Sequence, residues 1–127
     1  MDYNWANYSI LIADDEPLII DFFREVLLPT KINMYFAEDG KQAISFVKEH
    51  DDIDLVLLDI RMPEMNGFEV FKTIKSIRPE LPVIAQTAYA FYDDRAKIKA
   101  AGFDDYISKP INNDSLYNKI ESFLIKN

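Results

Sequence analysis

The chain has 127 residues, 49% of them apolar, with 22 acidic against 14 basic side chains and a formal net charge of −8. That length and apolar share describe one domain with a core of ordinary size, spanning 1–127, in which residues 1–7 are expected to form an N-terminal extension or linker. Scattered basic residues on an acidic chain argue against direct nucleic-acid binding, and no apolar run approaches the roughly 20 residues of a membrane span. The start Met1-Asp2-Tyr3-Asn4 has neither the cationic nor the apolar character of a signal peptide, so the expectation is a cytoplasmic domain without membrane contact. Absence of cysteine excludes disulfides and thiolate catalysis, and leaves oxygen as the donor for any metal.

In chain order, apolar runs of strand length alternate with segments of helical period, the pattern of βα units around a parallel sheet. Strands are predicted at Ser9–Ala13, Lys31–Ala37, Ile53–Leu58, Pro82–Gln86 and Asp105–Ile107. The first, third and fourth are nearly all apolar and are expected at the centre, covered on both faces, whereas the fifth is short and expected at an edge. Between the first two, Ile19, Phe22, Phe23 and Val26 form one helical stripe that Pro29 ends. Asp39-Gly40 opens a second helix carrying Ala43, Ile44 and Val47, and Gly67, Val70, Phe71 and Ile74 line a third that stops before Pro79. A fourth runs from about Asp93 to Gly102, and the last buries Leu116, Ile120, Phe123 and Leu124 behind a cap at Asn113 or a neighbour. Five such units fit an α/β fold, a single doubly wound (βα)5 sheet with flavodoxin-like strand order 2-1-3-4-5, in which ligands bind outside the carboxyl ends of strands 1 and 3.

Polar side chains stand at those ends. Strand 1 runs into Asp14-Asp15-Glu16, strand 3 (DLVLLD) ends in Asp59, strand 4 (PVIAQT) ends in Thr87, and strand 5 (DYISKP) is followed by Lys109-Pro110. Each alone reads as a helix cap, a turn hydroxyl or a surface lysine. Together, Asp14, Asp15 and Asp59 would face one crevice and repel, since two unit charges about 4 Å apart cost on the order of 4 kcal/mol at an effective dielectric near 20. Such a site calls for cations: Lys109, and a hard divalent ion, with Mg²⁺ the natural choice for two or three carboxylates and Mn²⁺ also acceptable. Glu16 is expected to begin the first helix and favour its positive end. The single histidine, His50, falls at the end of helix 2 on the opposite rim, as a surface residue. A carboxylate, a hydroxyl, a lysine and a metal are the parts of phosphoryl transfer, with Asp59 as nucleophile and Lys109, Thr87 and the metal each taking a phosphoryl oxygen.

ILIADDE, DLVLLDIRMPEMNGFE, PVIAQTAYA and AGFDDYISKPI, in this order and at these intervals, resemble the receiver (response-regulator) domain of two-component signalling over nearly the whole chain. The resemblance implies that Asp59 accepts phosphate from the phosphohistidine of a histidine kinase or histidine phosphotransfer protein, and that the domain promotes only its own phosphorylation and dephosphorylation. It implies Mg²⁺ on Asp15, Asp59 and the Arg61 backbone carbonyl, with Asp14 acting through a metal-bound water. Thr87 and Tyr106 match the switch hydroxyl and aromatic, which would shift helix 4, strand 5 and helix 5 between two packings and allow a phosphorylation-dependent dimer. Lys109-Pro110 matches a peptide bond that is usually cis. Arg61 and Tyr89 match positions that tune water access to the aspartyl-phosphate, and their bulk points to slow self-hydrolysis or merely covers the rim. The aromatics Tyr89, Phe91 and Tyr92 form a partner surface or packing for helix 4.

YNWANYSILIADDE, with its Trp5, and AQTAYAF…DDYISKPIN are more similar to C-terminal receivers of bacterial hybrid histidine kinases than to DNA-binding regulators. A hybrid sensor kinase is therefore the expected parent, with a stand-alone single-domain regulator as the alternative. A Mg-dependent aspartyl-phosphate phosphatase would place a second acid where Arg61 stands, and an FMN carrier would need a phosphate-cradling loop where Asp14-Asp15-Glu16 stand. A degenerate docking receiver would have lost an acid, the threonine or the lysine, and none is missing.

Overall fold

The computed structural model describes residues 3–62, 65–88 and 92–125. Five strands, β1 (Ser9–Ala13), β2 (Asn33–Ala37), β3 (Leu55–Asp59), β4 (Val83–Thr87) and β5 (Asp105–Ser108), pair in parallel in the order β2-β1-β3-β4-β5. Between and after them run α1 (Pro17–Leu27), α2 (Gly40–Glu49), α3 (Gly67–Ile77), α4 (Tyr92–Ala101) and α5 (Asn113–Leu124). This is the predicted doubly wound sheet, with β1, β3 and β4 buried along their whole length and β5 at an edge.

Strand alternation divides the core in two. Leu11, Ala13, Val56, Leu58, Val83 and Ala85 face the layer of α2, α3 and α4, packing on Val47, Val70, Phe71, Ile74 and Ile98. Ile10, Ile12, Leu55, Leu57, Ile84 and Ile107 face α1 and α5, packing on Phe23, Val26, Leu27, Leu116 and Ile120. The helical stripes fall where their period places them, and α4 ends at Gly102, whose φ of +98° suits a residue without a Cβ.

Several boundaries move by one or two residues. β2 begins at Asn33 instead of Lys31, because a 3₁₀ turn over Leu28–Thr30 carries the chain past Pro29 and leaves Lys31 left-handed at φ 66°. β3 runs Leu55–Asp59 and β4 Val83–Thr87, so Asp59 and Thr87 are themselves strand residues. Three helix starts are capped by a side chain on the backbone N–H three residues on: Asp39 on Gln42, Asn66 on Glu69 and Asn112 on Ser115. The cap of α5 is thus the neighbour, Asn112, with Asn113 the first helical residue.

Trp5 is only 1% exposed. Its N–H donates to the Thr30 carbonyl at 2.7 Å, and its ring lies 4.9 Å from that of Tyr3 and 6.2 Å from that of Tyr117 on α5. Tyr117 in turn donates its hydroxyl proton to the Val26 carbonyl on α1, so the segment before β1 is packed where α1 and α5 meet. Truncation of a buried indole removes both transfer energy and packing. Trp5→Ala is expected to lower the stability to urea unfolding by about 3–5 kcal/mol; a loss under about 1 kcal/mol would show the segment to be dispensable to the core.

Candidate phosphoacceptor and metal site

The sheet delivers its polar residues to one rim, on two faces. Asp14 follows Ile12 by two residues, Asp59 follows Leu57, and Lys109 follows Ile107, so alternation sets all three on the α1/α5 face at the carboxyl ends of their strands. Thr87 follows Ala85 by two and therefore belongs to the other face, that of α4. Tyr106, in register with Ala85, packs against the same cluster.

Asp14 (0% exposed) and Asp59 (5%) are held alike. Asp14 accepts the Glu16 N–H on Oδ1 at 2.9 Å, and Asp59 accepts the Arg61 N–H on Oδ1 at 2.9 Å. Each carboxylate thus uses one oxygen to tie down the turn two residues on. The other faces Lys109, whose ammonium donates to Asp14 Oδ2 at 3.1 Å and to Asp59 Oδ2 at 3.5 Å. Glu16 precedes Pro17 at the start of α1 as expected, without capping it, and its Oε1 stands 3.9 Å from the same ammonium. Gly67, the first residue of α3, keeps the Asp59 turn close: its N–H donates to the Ile60 carbonyl at 2.9 Å, and a Cβ there would lie 2.3 Å from the Ile60 Cα.

Carboxylate oxygens of Asp14, Asp15 and Asp59 all lie within 4.8 Å of one another, with Asp15 exposed at the mouth. Three hard oxygen donors beside one lysine fit a small divalent cation. Burial pushes the Asp59 carboxyl up to about 6; the Arg61 N–H and Lys109 hold it down against this, and Asp14 and Asp15 add to the rise. Lys109 loses some basicity to burial, but Asp59, Asp14 and Glu16 outweigh that and raise it overall. Arg61 is exposed, bound at its backbone to Asp59, and bridged to Asn66 across the turn.

Thr87 is fully buried, and its carbonyl accepts the Lys109 N–H at 2.8 Å, which joins β4 to the loop after β5. The Lys109-Pro110 bond is cis. Tyr106 is half-buried between two cations, Arg95 of α4 at 5.6 Å and Lys119 of α5 at 5.1 Å from the ring centroid. Lys119 also donates to the Tyr106 carbonyl at 2.6 Å and to Asp105 at 3.0 Å, covering the free edge of β5. His50 ends α2 on the opposite rim, half-buried with its ring 4.6 Å from that of Tyr35. Tyr89 and Phe91 and the side chain of Tyr92 lie outside the described residues.

Gln86 is a polar residue within an otherwise apolar strand. It is 0% exposed, and its side-chain oxygen and nitrogen both lack a hydrogen-bond partner among the described residues, an arrangement that typically costs about 1–3 kcal/mol.

An acidic, cation-demanding crevice at the switch point of a flavodoxin-like sheet defines an α/β domain that manages charge at its strand ends. Residues 10–121 match the family described as response regulator receiver domain, and the chain belongs to that family, the receivers of two-component signalling. It is 35% identical over 118 residues to the polar-differentiation response regulator DivK of Brucella ovis, covering 91% of this chain and 95% of that protein. It is 34% identical over 126 residues to hybrid signal transduction histidine kinase I of Dictyostelium discoideum, covering 93% of this chain but only 7% of that protein's length. Among solved structures it resembles the receiver domain of sensor histidine kinase PA1611 from Pseudomonas aeruginosa, which has a magnesium ion in its active-site cleft (TM-score 0.84, 26% identity, 92% of this chain and 97% of that one). It also resembles the Saccharomyces cerevisiae complex of the Ssk1 receiver domain with the histidine phosphotransfer protein Ypd1 (TM-score 0.85, 25% identity, 92% and 88%).

The raised Asp59 carboxyl has a measurable consequence. Unfolded, it ionises near 3.8; folded, near 6, so the folded state holds its proton longer and stability falls as pH rises between those values. In metal-free buffer, Asp59→Asn is therefore expected to be more stable than the parent at pH 7 by about 2–3 kcal/mol, with the gain gone by about pH 4. Urea midpoints across that range test it; an equal gain at both ends would contradict the electrostatic cause.

Proposed function

We propose that Asp59 accepts a phosphoryl group from the phosphohistidine of a histidine kinase or a histidine phosphotransfer protein, and that the loaded site switches the face of α4, β5 and α5. The observation that carries this reading is the convergence of Asp14, Asp59 and Lys109, with Asp15 at the mouth, on one rim of a receiver-family sheet. Attack by an Asp59 oxygen on phosphorus breaks the N–P bond of the donor, and the imidazole leaves with its electron pair and takes a proton. The Arg61 N–H fixes one Asp59 oxygen so that the carboxylate presents a defined edge. Lys109, already 3.1 Å from Asp14, moves its charge to a phosphoryl oxygen as negative charge gathers there.

Mg²⁺, which a receiver of similar fold holds in its cleft, would sit on Asp15, Asp59 and the Arg61 carbonyl with Asp14 through water, and would supply charge neutralisation of the phosphoryl oxygens. Mn²⁺ offers the same hard-oxygen preference. Thr87 turns its hydroxyl to the phosphoryl group, and the space it leaves on the α4 face draws the Tyr106 ring inward from between Arg95 and Lys119. Arg61, exposed beside Asp59, slows hydrolysis by limiting the approach of water. The charge of −8 and the scattered lysines leave direct nucleic-acid binding without support, and no helix among the described residues is long and apolar enough to cross a membrane.

Similarity to a hybrid kinase supports a parent sensor of that class. Similarity to DivK over 95% of that regulator's length is equally compatible with the second reading, a stand-alone single-domain regulator.

A small phosphodonor such as phosphoramidate with Mg²⁺ is expected to add one hydroxylamine-sensitive phosphate, read by intact mass, that Asp59→Asn abolishes. Equal modification of the variant would overturn the assignment of Asp59.

A further inference from the structure

Gly40, the first residue of α2, is buried, and a Cβ there would lie 2.6 Å from Val70 Cγ2 and 3.2 Å from both Cβ and Sδ of Met65. The Met65 side chain therefore lies against the bare backbone of Gly40, beside Val70 of α3. Asn66 caps α3 on the Glu69 N–H, so Met65 stands just before the cap and Val70 is the fourth helical residue. An apolar pair at those two places is a hydrophobic staple, which fixes the angle at which the chain enters a helix. Here the start of α2 is packed into the staple as a third member.

The chain that the staple directs is the one that leaves Asp59. Strand pairing holds Asp59 itself, level with Gln86 on β4, and the Ile60 N–H still donates to the Gln86 carbonyl at 3.2 Å. Arg61 lies beyond that last bond to the sheet. Its N–H is bonded to Asp59 Oδ1, and its backbone is bridged to Asn66, the neighbour of Met65. The place of the Arg61 carbonyl thus depends on where Asn66 is held, and Met65 on Gly40 is the side-chain contact that holds this end of the turn against α2. The α2 side is itself braced: Asp39 accepts the Gln42 N–H at 2.8 Å, and the Gln42 side chain accepts the Glu38 N–H at 2.8 Å. Mg²⁺ demands near-ideal ligand geometry, so a small displacement of one oxygen donor lowers affinity. We propose that Met65 is a positioning residue: seated on Gly40, it sets where the Arg61 carbonyl stands relative to Asp59 and so tunes the affinity of the site for Mg²⁺.

This inference rests on Mg²⁺ being held by Asp15, Asp59 and the Arg61 carbonyl, and the test separates the two. Mg²⁺ is titrated into wild type, Met65→Ala, Met65→Leu and Ile120→Val while the backbone amide signals of Asp59, Arg61 and Asn66 are followed by NMR. Met65→Ala is expected to bind Mg²⁺ about tenfold more weakly, the low end of what loss of support behind a ligand costs, and to shift the Arg61 and Asn66 signals before any metal is added. Met65→Leu keeps apolar bulk over Gly40 and is expected to bind within about threefold of wild type. Ile120→Val loosens the core on the α5 side of the sheet, and is expected to lower urea stability without changing Mg²⁺ affinity. Should alanine prevent folding, Met65→Val provides the same comparison, since it also lacks the thioether. Met65→Ala affinity within about twofold of wild type overturns the inference, as does an equal weakening by Ile120→Val. If wild type itself shows no saturable response to Mg²⁺ at Asp59 and Arg61, the metal assignment is what has failed.

Discussion

Asp14, Asp59 and Lys109 are held within hydrogen-bonding distance at the carboxyl ends of the sheet, and nearly everything around them serves to keep two buried carboxylates beside one ammonium. Like charges at this spacing separate unless the backbone holds them. Here the backbone does so twice in the same way, with an amide two residues after each aspartate bonded to its inner oxygen. The close seating of Gly67 on Ile60 then fixes the second of these turns against α3. Lys109 offsets part of the repulsion, and the remaining negative charge gives the pocket its demand for a divalent cation.

The two faces of the sheet divide the work. The α1/α5 face carries the charge chemistry, whereas Thr87 and Tyr106 belong to the α4 face and sit on the two outermost strands at that end. The two faces are joined at the strand ends by the bond from the Lys109 N–H to the Thr87 carbonyl. One cation of α4 and one of α5 stand over the Tyr106 ring, Arg95 at 5.6 Å and Lys119 at 5.1 Å from its centroid. These contacts give the face of α4, β5 and α5 a defined arrangement in this structure.

Much of this was legible in the sequence because it follows from short-range pattern. Apolar runs of five residues bounded by acids, and stripes such as Ile19, Phe22, Phe23 and Val26, specify strand or helix without reference to the rest of the chain. The strand order then brings the residues at the strand ends together. The remainder depends on contacts distant in sequence, which no local pattern carries. Trp5 reads as part of an extension until Thr30, Tyr117 and Val26 are seen to meet around it. Lys31 looks like the start of a strand because the left-handed turn before β2 is imposed by the 3₁₀ segment and not by a glycine. Gln86 is one polar residue in an apolar strand, and only the register sets it beside Asp59.

Burial among carboxylates sets the protonation of Asp59 and creates the need for a cation. The most direct measurement is the titration of the Asp59 carboxyl carbon by NMR, without and with saturating Mg²⁺. A midpoint near 6 is expected in metal-free protein, with a marked fall when Mg²⁺ binds. A midpoint close to 3.8 that Mg²⁺ leaves unchanged would contradict it.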